Sequence, residues 1–274
     1  MPEAPEVQTV ISTLEKQIKE CIIEKIEVLY SKILENGNEE SWNEKLEGQS
    51  LLEFNRIGKY LILSTEDYDW VIHLRMEGKF YIYDELPENL KHIHIIVYLN
   101  DGKKLCYHDT RKFGRMALYD KTEDKSTLPS LKNVGYDILD QRVTGKYFYS
   151  QIHSKKKCLK ACLLDQSIMA GIGNIYADEI CFAARLDPRS RAARLSKKDC
   201  DTIVSYSKQI IQDAMKAGGT TIRSYTSSLG VTGLFQLQLN VHTMEECPIC
   251  RDKIVKKVVA TRGTYICQHC QKRK

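Results

Sequence analysis

The chain has 274 residues, 42% of them hydrophobic, and a formal net charge of +5 at pH 7. This length is sufficient for two domains with substantial cores. No stretch has the eighteen or so apolar residues that a membrane-spanning helix needs, and the N-terminus lacks the basic and apolar run of a signal peptide. These features exclude membrane-spanning and secreted proteins, and they predict a cytoplasmic protein.

The first predicted element is a helix that begins almost at the start of the chain. From Glu6 onward, apolar residues recur at helical spacing, which predicts a helix over about residues 5–20. Pro5 suits the first helical turn because its missing N–H is not needed there. Glu6 suits the positive end of the helix dipole. The chain end is therefore expected to be held in place.

The helix would give the N-terminal amine unusual chemistry. Removal of Met1 would leave Pro2 with a free secondary amine. The positive end of the helix should lower the pKa of that amine from about 8, so that a neutral, nucleophilic fraction exists at pH 7. Glu3 and Glu6 are carboxylates placed to transfer protons. The alternative is a charged and frayed terminus, as in most chains.

The next part of the chain predicts strands. Short alternating runs are rich in β-branched and aromatic residues, a hairpin signal occurs at 100–102, and Gly78 and Gly114 indicate bulges or turns. Consecutive strands without intervening helices favour a sandwich or barrel. The predicted strands cover residues 22–30, 50–65, 69–84, 92–99 and 103–119.

After about Ser130 the pattern becomes helical. Helices are predicted within 142–166, over about 174–184, and from Leu195 to Lys216 with Ser196 as the N-cap. Residues 224–235 show no period, which predicts an exposed, mobile loop. The sequence thus has a strand-rich half followed by a helical half.

Four of the ten cysteines form two close pairs, Cys247 with Cys250 and Cys267 with Cys270, separated by sixteen residues. This spacing predicts one zinc ion held by four thiolates. Two short strands joined by residues 260–263 would make a zinc-bound β-hairpin. All four positions of the metal are filled, so the zinc is structural and stabilises a segment too short for its own core. Two disulfides are the alternative, which a reducing compartment disfavours.

Basic charge is concentrated in the same tail. Residues 241–274 contain eight Lys and Arg against three acidic residues, a balance of +5 that equals the net charge of the whole chain. Such a segment points to a polyanion partner such as nucleic acid, and a solubilising tail is the alternative.

Two shorter motifs fit the same partner. The turn at Gly171–Asn174 opens a predicted helix, which suits phosphate binding, although glycines also serve packing alone. Arg111 and Phe113 lie together in the segment Asp109–Gly114. An arginine beside a phenylalanine suits insertion into a nucleic-acid groove, and the alternative is one surface arginine and one core phenylalanine.

Together, these motifs resemble the formamidopyrimidine-DNA glycosylase family, bacterial enzymes that excise oxidised purines such as 8-oxoguanine. The family's start, Pro-Glu-Leu-Pro-Glu-Val, corresponds to Pro2–Val7. Its Asp-Pro-Arg-Arg-Phe-Gly corresponds to Asp109–Gly114, and its Gly-Asn-Ile-Tyr-Ala to Gly173–Ala177. The four-Cys finger is present in full. The resemblance therefore extends over nearly the whole chain.

The resemblance implies an α+β fold in three parts. These are an N-terminal β-sandwich catalytic domain opened by a helix (1–133), a helical helix–two-turn–helix DNA-binding domain (134–240) and a four-Cys zinc finger (241–274). It implies a monomer with one structural zinc ion. Its partner would be double-stranded DNA with an oxidised base, lying in the cleft between the halves with the damaged nucleotide flipped out. The protein would work on the nucleoid in a bacterial cytoplasm.

The resemblance also implies residue roles. Pro2 would attack C1′ of the flipped nucleotide, Glu3 would protonate the sugar ring oxygen, Glu6 would support the site, and Lys59 would assist catalysis near a phosphate. Base loss would be followed by β- and δ-elimination through a Schiff base. The loop at 220–235 would fold over the extruded base. DNA contacts would come from His73, Met76, His92, Arg111, Phe113, Gly173, Asn174, Tyr176 and Arg262, among which Met76, Arg111 and Phe113 fill the vacated space.

The chain departs from the family pattern at several positions. Ala4 and Gln8 replace Leu and Glu, which should alter packing more than chemistry. Thr110 replaces a proline, so that turn is expected to be looser. Val241–Thr243 replaces Tyr-Gly-Arg before the finger, where a DNA contact is either lost or made by His242.

Two alternative functions stay open. Endonuclease VIII shares the N-terminal chemistry and the finger but prefers oxidised pyrimidines, and the inserted trio and the long 220–235 loop favour the purine enzyme. The second alternative is a damaged-DNA-binding protein without catalysis. Such a protein would need none of Pro2, Glu3 and Lys59.

Overall fold

The computed structural model describes residues 1–220 and 234–274, which form two compact units. The first unit contains residues 1–132 and the segment that starts at Thr220, and the second contains 133–219 and 234–274. Most of the predicted loop over 220–235 lies outside the described residues. None of the described helices is long and apolar enough to cross a membrane.

The first unit begins with helix α1 (Ala4–Ile18), in which Pro5 lies in the first turn as predicted. Its apolar stripe is buried, including Val7, Leu14 and Ile18, all with 0% exposure. Burial of each such side chain stabilises the fold by roughly 1.5–3 kcal/mol. The helix is thereby fixed against the sheets, and the chain end with it.

Eight strands follow and form two antiparallel four-stranded sheets. Three of the five predicted strand segments each contain two strands, which are separated at residues 58–59, 74–78 and 109–114. In the last two of these segments, the two strands belong to different sheets. A short helix, α2 (Glu39–Leu46), was not predicted and buries Trp42. The strands are β1 (Ile23–Val28), β2 (Glu53–Ile57), β3 (Tyr60–Ser64), β4 (Tyr68–His73), β5 (Lys79–Tyr83), β6 (Ile93–Leu99), β7 (Lys104–His108) and β8 (Arg115–Asp120). The strand orders of the two sheets are β1-β6-β7-β5 and β2-β3-β4-β8.

The second unit is helical. The predicted helical segment 142–166 forms two helices. The helix over Lys197–Lys216 has Ser196 as its N-cap, as predicted, and the Ser196 Oγ accepts from the Asp199 N–H at 3.2 Å. The helices are α3 (Gly145–Ile152), α4 (Leu159–Leu164), α5 (Asn174–Ala183) and α6 (Lys197–Lys216), with single 3₁₀ turns at Ala192–Arg194 and Phe235–Gln238.

The same unit contains the hairpin of β9 (Val255–Val259) and β10 (Arg262–Ile266). Only Ala260 and Thr261 connect the strands, where a four-residue connection was predicted. Both have positive φ, +50° and +61°, as in a type I′ hairpin turn, whose twist matches that of the strands. Arg262 is therefore the first residue of β10, immediately after the turn.

Candidate active site

The chain end in the first unit is held by Glu6. Its Oε2 accepts a hydrogen bond from the Glu3 backbone N–H at 2.9 Å. Its Oε1 accepts from the backbone N–H and the hydroxyl of Thr220, at 2.8 and 3.0 Å. Pro2, Glu3 and Glu6 are all buried. The predicted nucleophile thus lies at a tethered position, not on a frayed end.

The terminal amine in this structure is that of Met1, one residue before Pro2. Burial lowers the pKa of the Met1 amine below its usual value, Glu3 and Glu6 oppose the shift, and Lys59 adds to it. The direction is the one predicted for the Pro2 amine, which stays a prediction because that amine is part of a peptide bond while Met1 is present. The largest cause of the lowered pKa is desolvation, whereas the sequence predicted a shift caused by the helix dipole. An amine whose pKa is lowered in this way has a larger neutral fraction at pH 7.

Lys59 lies on the two-residue turn between β2 and β3. Gly58 has φ +59°, so the turn begins with the left-handed residue that such hairpins require. Arg56 donates to the Gly58 carbonyl at 2.7 Å and to Gln8 Oε1 on α1 at 3.3 Å. Gln8, a departure from the family pattern, therefore helps to fix the turn that presents Lys59, whose side chain is buried.

His73 ends β4 opposite Tyr60, and the two rings meet edge to face at 4.5 Å. Its Nδ1 accepts the backbone N–H of Arg75 at 2.9 Å, which requires an unprotonated nitrogen. Burial lowers the pKa of His73 to about 3, and the nearby charges of Arg75 and Lys59 add to this shift. His73 is therefore neutral at pH 7, so a phosphate contact from it would be a hydrogen bond from Nε2 and not an ion pair.

The predicted trio is exposed. Met76 and Phe113 are 39% and 46% exposed, and the Arg111 guanidinium lies 4.8 Å from the centre of the Phe113 ring. The Asp109 carboxylate accepts the backbone N–H groups of Arg111, Phe113 and Gly114 at 3.0, 2.9 and 2.8 Å. The Asp109 carboxylate thus fixes the backbone of the loop that contains Arg111 and Phe113, a role that was not predicted from the sequence. An Asp two residues before a turn residue is the local signal that could have shown it.

Tyr107 brings the two loops of the trio together. An ideal Cβ at Gly78 would lie 2.1 Å from the Tyr107 hydroxyl oxygen, and one at Gly114 would lie 1.8 Å from it. Glycine is therefore needed at both positions because the tyrosine lies too close for a side chain. Neither Gly78 nor Gly114 has a positive φ, so backbone conformation is not the reason. Gly78 follows Met76 by two residues, and Gly114 follows Phe113.

His92 lines a cavity of about 310 Å³ in the same unit. Its carbonyl accepts the Asp109 N–H at 3.0 Å, so it is tied to the base of the Arg111 loop. Thr110, which replaces the family's proline, also lines this cavity, but the loop around it is fixed by Asp109 and not left loose. The other lining residues are Glu77, Lys79, Tyr81 and His108.

In the second unit, the glycine-rich turn and the hairpin meet. Gly173 is the N-cap of α5, and Asn174, its first residue, donates from Nδ2 to the Gly263 carbonyl at 3.0 Å. Gly263 directly follows Arg262. The structure therefore brings Gly173, Asn174 and Arg262, three predicted DNA contacts, into one region.

Two further residues considered for DNA contacts, Tyr176 and His242, are buried. The Tyr176 ring has 0% exposure and packs on Phe235 at 5.7 Å, so it belongs to the helical core and offers no ring surface to DNA. His242 is buried, with Nδ1 2.8 Å from Asp178 Oδ2. Its Nδ1 is therefore committed to a carboxylate, which argues against its taking over a DNA contact through that atom.

The four predicted zinc ligands are together. The Sγ atoms of Cys247 and Cys270 are 3.9 Å apart, those of Cys250 and Cys267 are 3.4 Å apart, and all four lie within 4.8 Å of one another. Four thiolates at about 2.3 Å from a tetrahedral zinc would be about 3.8 Å apart, so the set fits the ion. All four are free thiols, not disulfides. The chain thus holds one structural zinc site.

Three family models match the chain: the formamidopyrimidine-DNA glycosylase N-terminal domain over 1–116, the formamidopyrimidine-DNA glycosylase H2TH domain over 134–226, and the zinc finger found in FPG and IleRS over 245–273. Two relatives called formamidopyrimidine-DNA glycosylase come from Ureaplasma parvum and Bacillus subtilis. The first is 41% identical over 99% of this chain and 100% of its own length, and the second is 38% identical over 100% of both.

Solved structures give the same result. The Lactococcus lactis Fpg bound to DNA with an abasic site matches with a TM-score of 0.89 and 34% identity, and the same protein bound to DNA with an N7-benzyl-Fapy-dG matches with 0.90 and 35%. In both, the match covers 99% of this chain and 100% of the other.

Proposed function

The chain belongs to the formamidopyrimidine-DNA glycosylase family, and from that premise we propose that it is a base-excision-repair DNA glycosylase that removes oxidised purines from duplex DNA and then cleaves the strand. The observation that carries the proposal is the buried and tethered chain end, with Pro2, Glu3 and Glu6 beside a lysine that influences the terminal amine. We propose that the protein acts on the nucleoid in a bacterial cytoplasm.

The chemistry begins once Met1 has been removed. The neutral Pro2 amine attacks C1′ of the flipped nucleotide, so that a bond forms between nitrogen and C1′ while the bond from C1′ to the base breaks. The departing base takes up a proton, and the nitrogen loses its own proton and so regains its electron pair. Glu3 protonates the ring oxygen, which opens the sugar and leaves an iminium ion. A secondary amine gives an iminium that is always cationic, so it draws electrons from C2′. Loss of the C2′ proton expels the 3′ phosphate, and a second elimination expels the 5′ phosphate.

The remaining site residues bind and orient the DNA. Lys59 lies on a rigid turn and would approach a phosphate next to the reacting sugar. His73 would add a neutral hydrogen bond, and Asn174 and Arg262 would bind flanking phosphates. The exposed trio of Met76, Arg111 and Phe113 would fill the space that the flipped nucleotide leaves. Tyr176 is proposed only as a support for the α5 start, because its ring is buried.

The proposal is tested by borohydride trapping on an 8-oxoguanine:C duplex. The protein without Met1 should form a covalent adduct with the cut strand, because the reductant converts the iminium into a stable amine. The matched control is the same protein with Met1 retained, which has the same side chains but no free Pro2 amine. It should give no adduct.

Two outcomes would contradict the proposal. Absence of an adduct with the processed protein would reject the Schiff-base mechanism and leave a DNA-binding protein without catalysis. An undiminished adduct with Pro2→Gly or with retained Met1 would reject Pro2 as the nucleophile. A duplex with an oxidised pyrimidine, run in parallel, distinguishes the endonuclease VIII alternative, which predicts faster cleavage of that substrate.

A further inference from the structure

The second unit contains a buried charged group that the proposed mechanism does not use. Lys160 on α4 has 0% exposure. Its Nζ lies 2.7 Å from Asp178 Oδ1 on α5, 2.7 Å from Thr264 Oγ1 on β10, and 3.4 Å from the Gly263 carbonyl. One ammonium thus ties two helices to the hairpin strand that starts at Arg262.

His242, in the segment that leads into the finger, completes this group. Its Nδ1 lies 2.8 Å from Asp178 Oδ2, and its ring meets Tyr265 edge to face at 4.9 Å. The Glu179 carboxylate accepts the backbone N–H groups of Val241 and His242 at 2.9 and 2.8 Å. The segment is therefore docked on α5 by two adjacent carboxylates, one of which also contacts the hairpin.

We infer that His242 is a positioning residue for Arg262. Asp178 Oδ2 receives both the His242 ring and the Tyr265 backbone N–H, the latter at 3.2 Å, so the histidine helps to fix the carboxylate on which β10 rests. The other end of β10 is held where Asn174 and Lys160 reach the Gly263 carbonyl. This inference rests on the proposed function, in which Arg262 binds a DNA phosphate.

The physical reason is the cost of an incompletely bonded buried carboxylate. Without the His242 donor, Asp178 would rotate toward its remaining donors or admit water, because a buried charge needs a full set of partners. Either change moves the Tyr265 N–H and, three residues earlier, Arg262. The four cysteines that would hold zinc all lie in the finger and none lies on α5, so the metal would stabilise the finger itself and not the contact between Asp178 and β10.

The test is a double-mutant cycle on the full-length, zinc-loaded protein. The probe is a duplex with a tetrahydrofuran abasic-site analogue, and the readouts are its dissociation constant and the zinc content. His242→Leu removes the donor at similar volume and should weaken binding by roughly tenfold with zinc retained. His242→Asn places an amide N–H near the position of Nδ1 and should bind within about twofold of wild type.

The cycle is closed with Arg262→Ala. If His242 acts through Arg262, adding His242→Leu to Arg262→Ala should raise the dissociation constant for the duplex by less than about twofold. His153→Leu is the matched control, because His153 is an exposed histidine of the same unit, and it should bind like wild type.

Three outcomes would overturn the inference: unchanged binding in His242→Leu, a full additional loss in the Arg262→Ala background, or loss of zinc in His242→Leu. The last would assign His242 to stability of the finger. These results are distinguishable from failure of the proposed function, which would appear as a wild-type protein that neither binds the duplex nor forms the borohydride adduct.

Discussion

The reactive group in this proposal is a backbone amine, so its environment must come from other side chains. Glu6 binds the Glu3 backbone with one carboxylate oxygen and Thr220 with the other, which makes it a support and leaves Glu3 as the proposed acid. Lys59 is aligned through Gln8 and Arg56, neither of which is a proposed site residue. Changes at Gln8 should therefore alter catalysis without touching a reacting group.

At the same scale, His73 makes stability of the first unit depend on pH. Its pKa is about 3 when folded and about 6.5 when unfolded, so the unfolded chain binds more protons between these values. The stabilisation is complete above pH 6.5 and is lost as pH falls toward 3. At about pH 5 the loss from this residue should approach about 2 kcal/mol.

The measurement is urea unfolding at about pH 7.5 and about pH 5, followed by tryptophan fluorescence. Both tryptophans, Trp42 and Trp70, lie in the core of the first unit and report on it alone. His73→Asn keeps an acceptor for the Arg75 N–H without a titrating ring, so it should lose less stability between the two pH values. An equal loss in both proteins would assign the pH dependence to other groups such as His108, whose pKa burial lowers to about 4.

At the scale of elements, the sequence predicted what depends on local pattern. The α1 stripe, the Ser196 cap and the cysteine spacing are local signals, and each was predicted correctly. Strand divisions were missed at three places. At 58–59 the turn has only two residues, so the apolar run hardly breaks. At 74–78 and 109–114 the chain passes from one sheet to the other, which depends on long-range strand pairing. The network of Lys160, Asp178 and His242 joins residues up to 82 positions apart in the numbering, 160 to 242, which no local pattern encodes.

The loop that contains Arg111 and Phe113 depends on the small size of Gly114, which lies against Tyr107. Gly114→Ala would place a methyl group against the Tyr107 hydroxyl and the ring behind it, so the Arg111 loop must move. We expect a loss of about 1–3 kcal/mol in the unfolding free energy of the first unit and weaker binding to the abasic-site duplex. Tryptophan fluorescence and a binding titration measure the two effects.

Tyr107→Phe provides the internal control for this substitution. It removes the hydroxyl that lies nearest the new methyl group, so Gly114→Ala should cost less in the Tyr107→Phe background than in wild type. The ring atom Cζ would still lie only 2.8 Å from the new Cβ, so the recovery should be partial. Equal costs in both backgrounds would show that contact with the Tyr107 hydroxyl is not what destabilises Gly114→Ala.

At the scale of the whole molecule, the zinc hairpin belongs to the helical unit, although it is distinct in sequence. Its small core combines Val241, Ile254 and two ligand cysteines with Phe182 of α5. The tail from 241 to 274 also carries a charge of +5, eight basic minus three acidic residues, which equals the net charge of the chain. The excess of basic residues that would attract DNA and the zinc site thus lie in the same segment, 241–274. The proposed catalytic residues lie in the other unit.

This division predicts separable losses when the metal is removed. Cys267→Ser deletes one of four zinc ligands from a segment whose core is too small to fold alone, so zinc should be released and the hairpin should unfold. Binding to the abasic-site duplex should fall by at least about a hundredfold, because Arg262 and the basic tail lose their fixed geometry. The fluorescence-detected unfolding of the first unit should stay unchanged, because neither tryptophan lies in the affected unit. Cys158→Ser is the matched control in the helical unit, away from the metal, and should keep both zinc and binding. Tight binding by a zinc-free Cys267→Ser protein would mean that the finger does not hold the DNA, and the proposed role of Arg262 would then have to be abandoned.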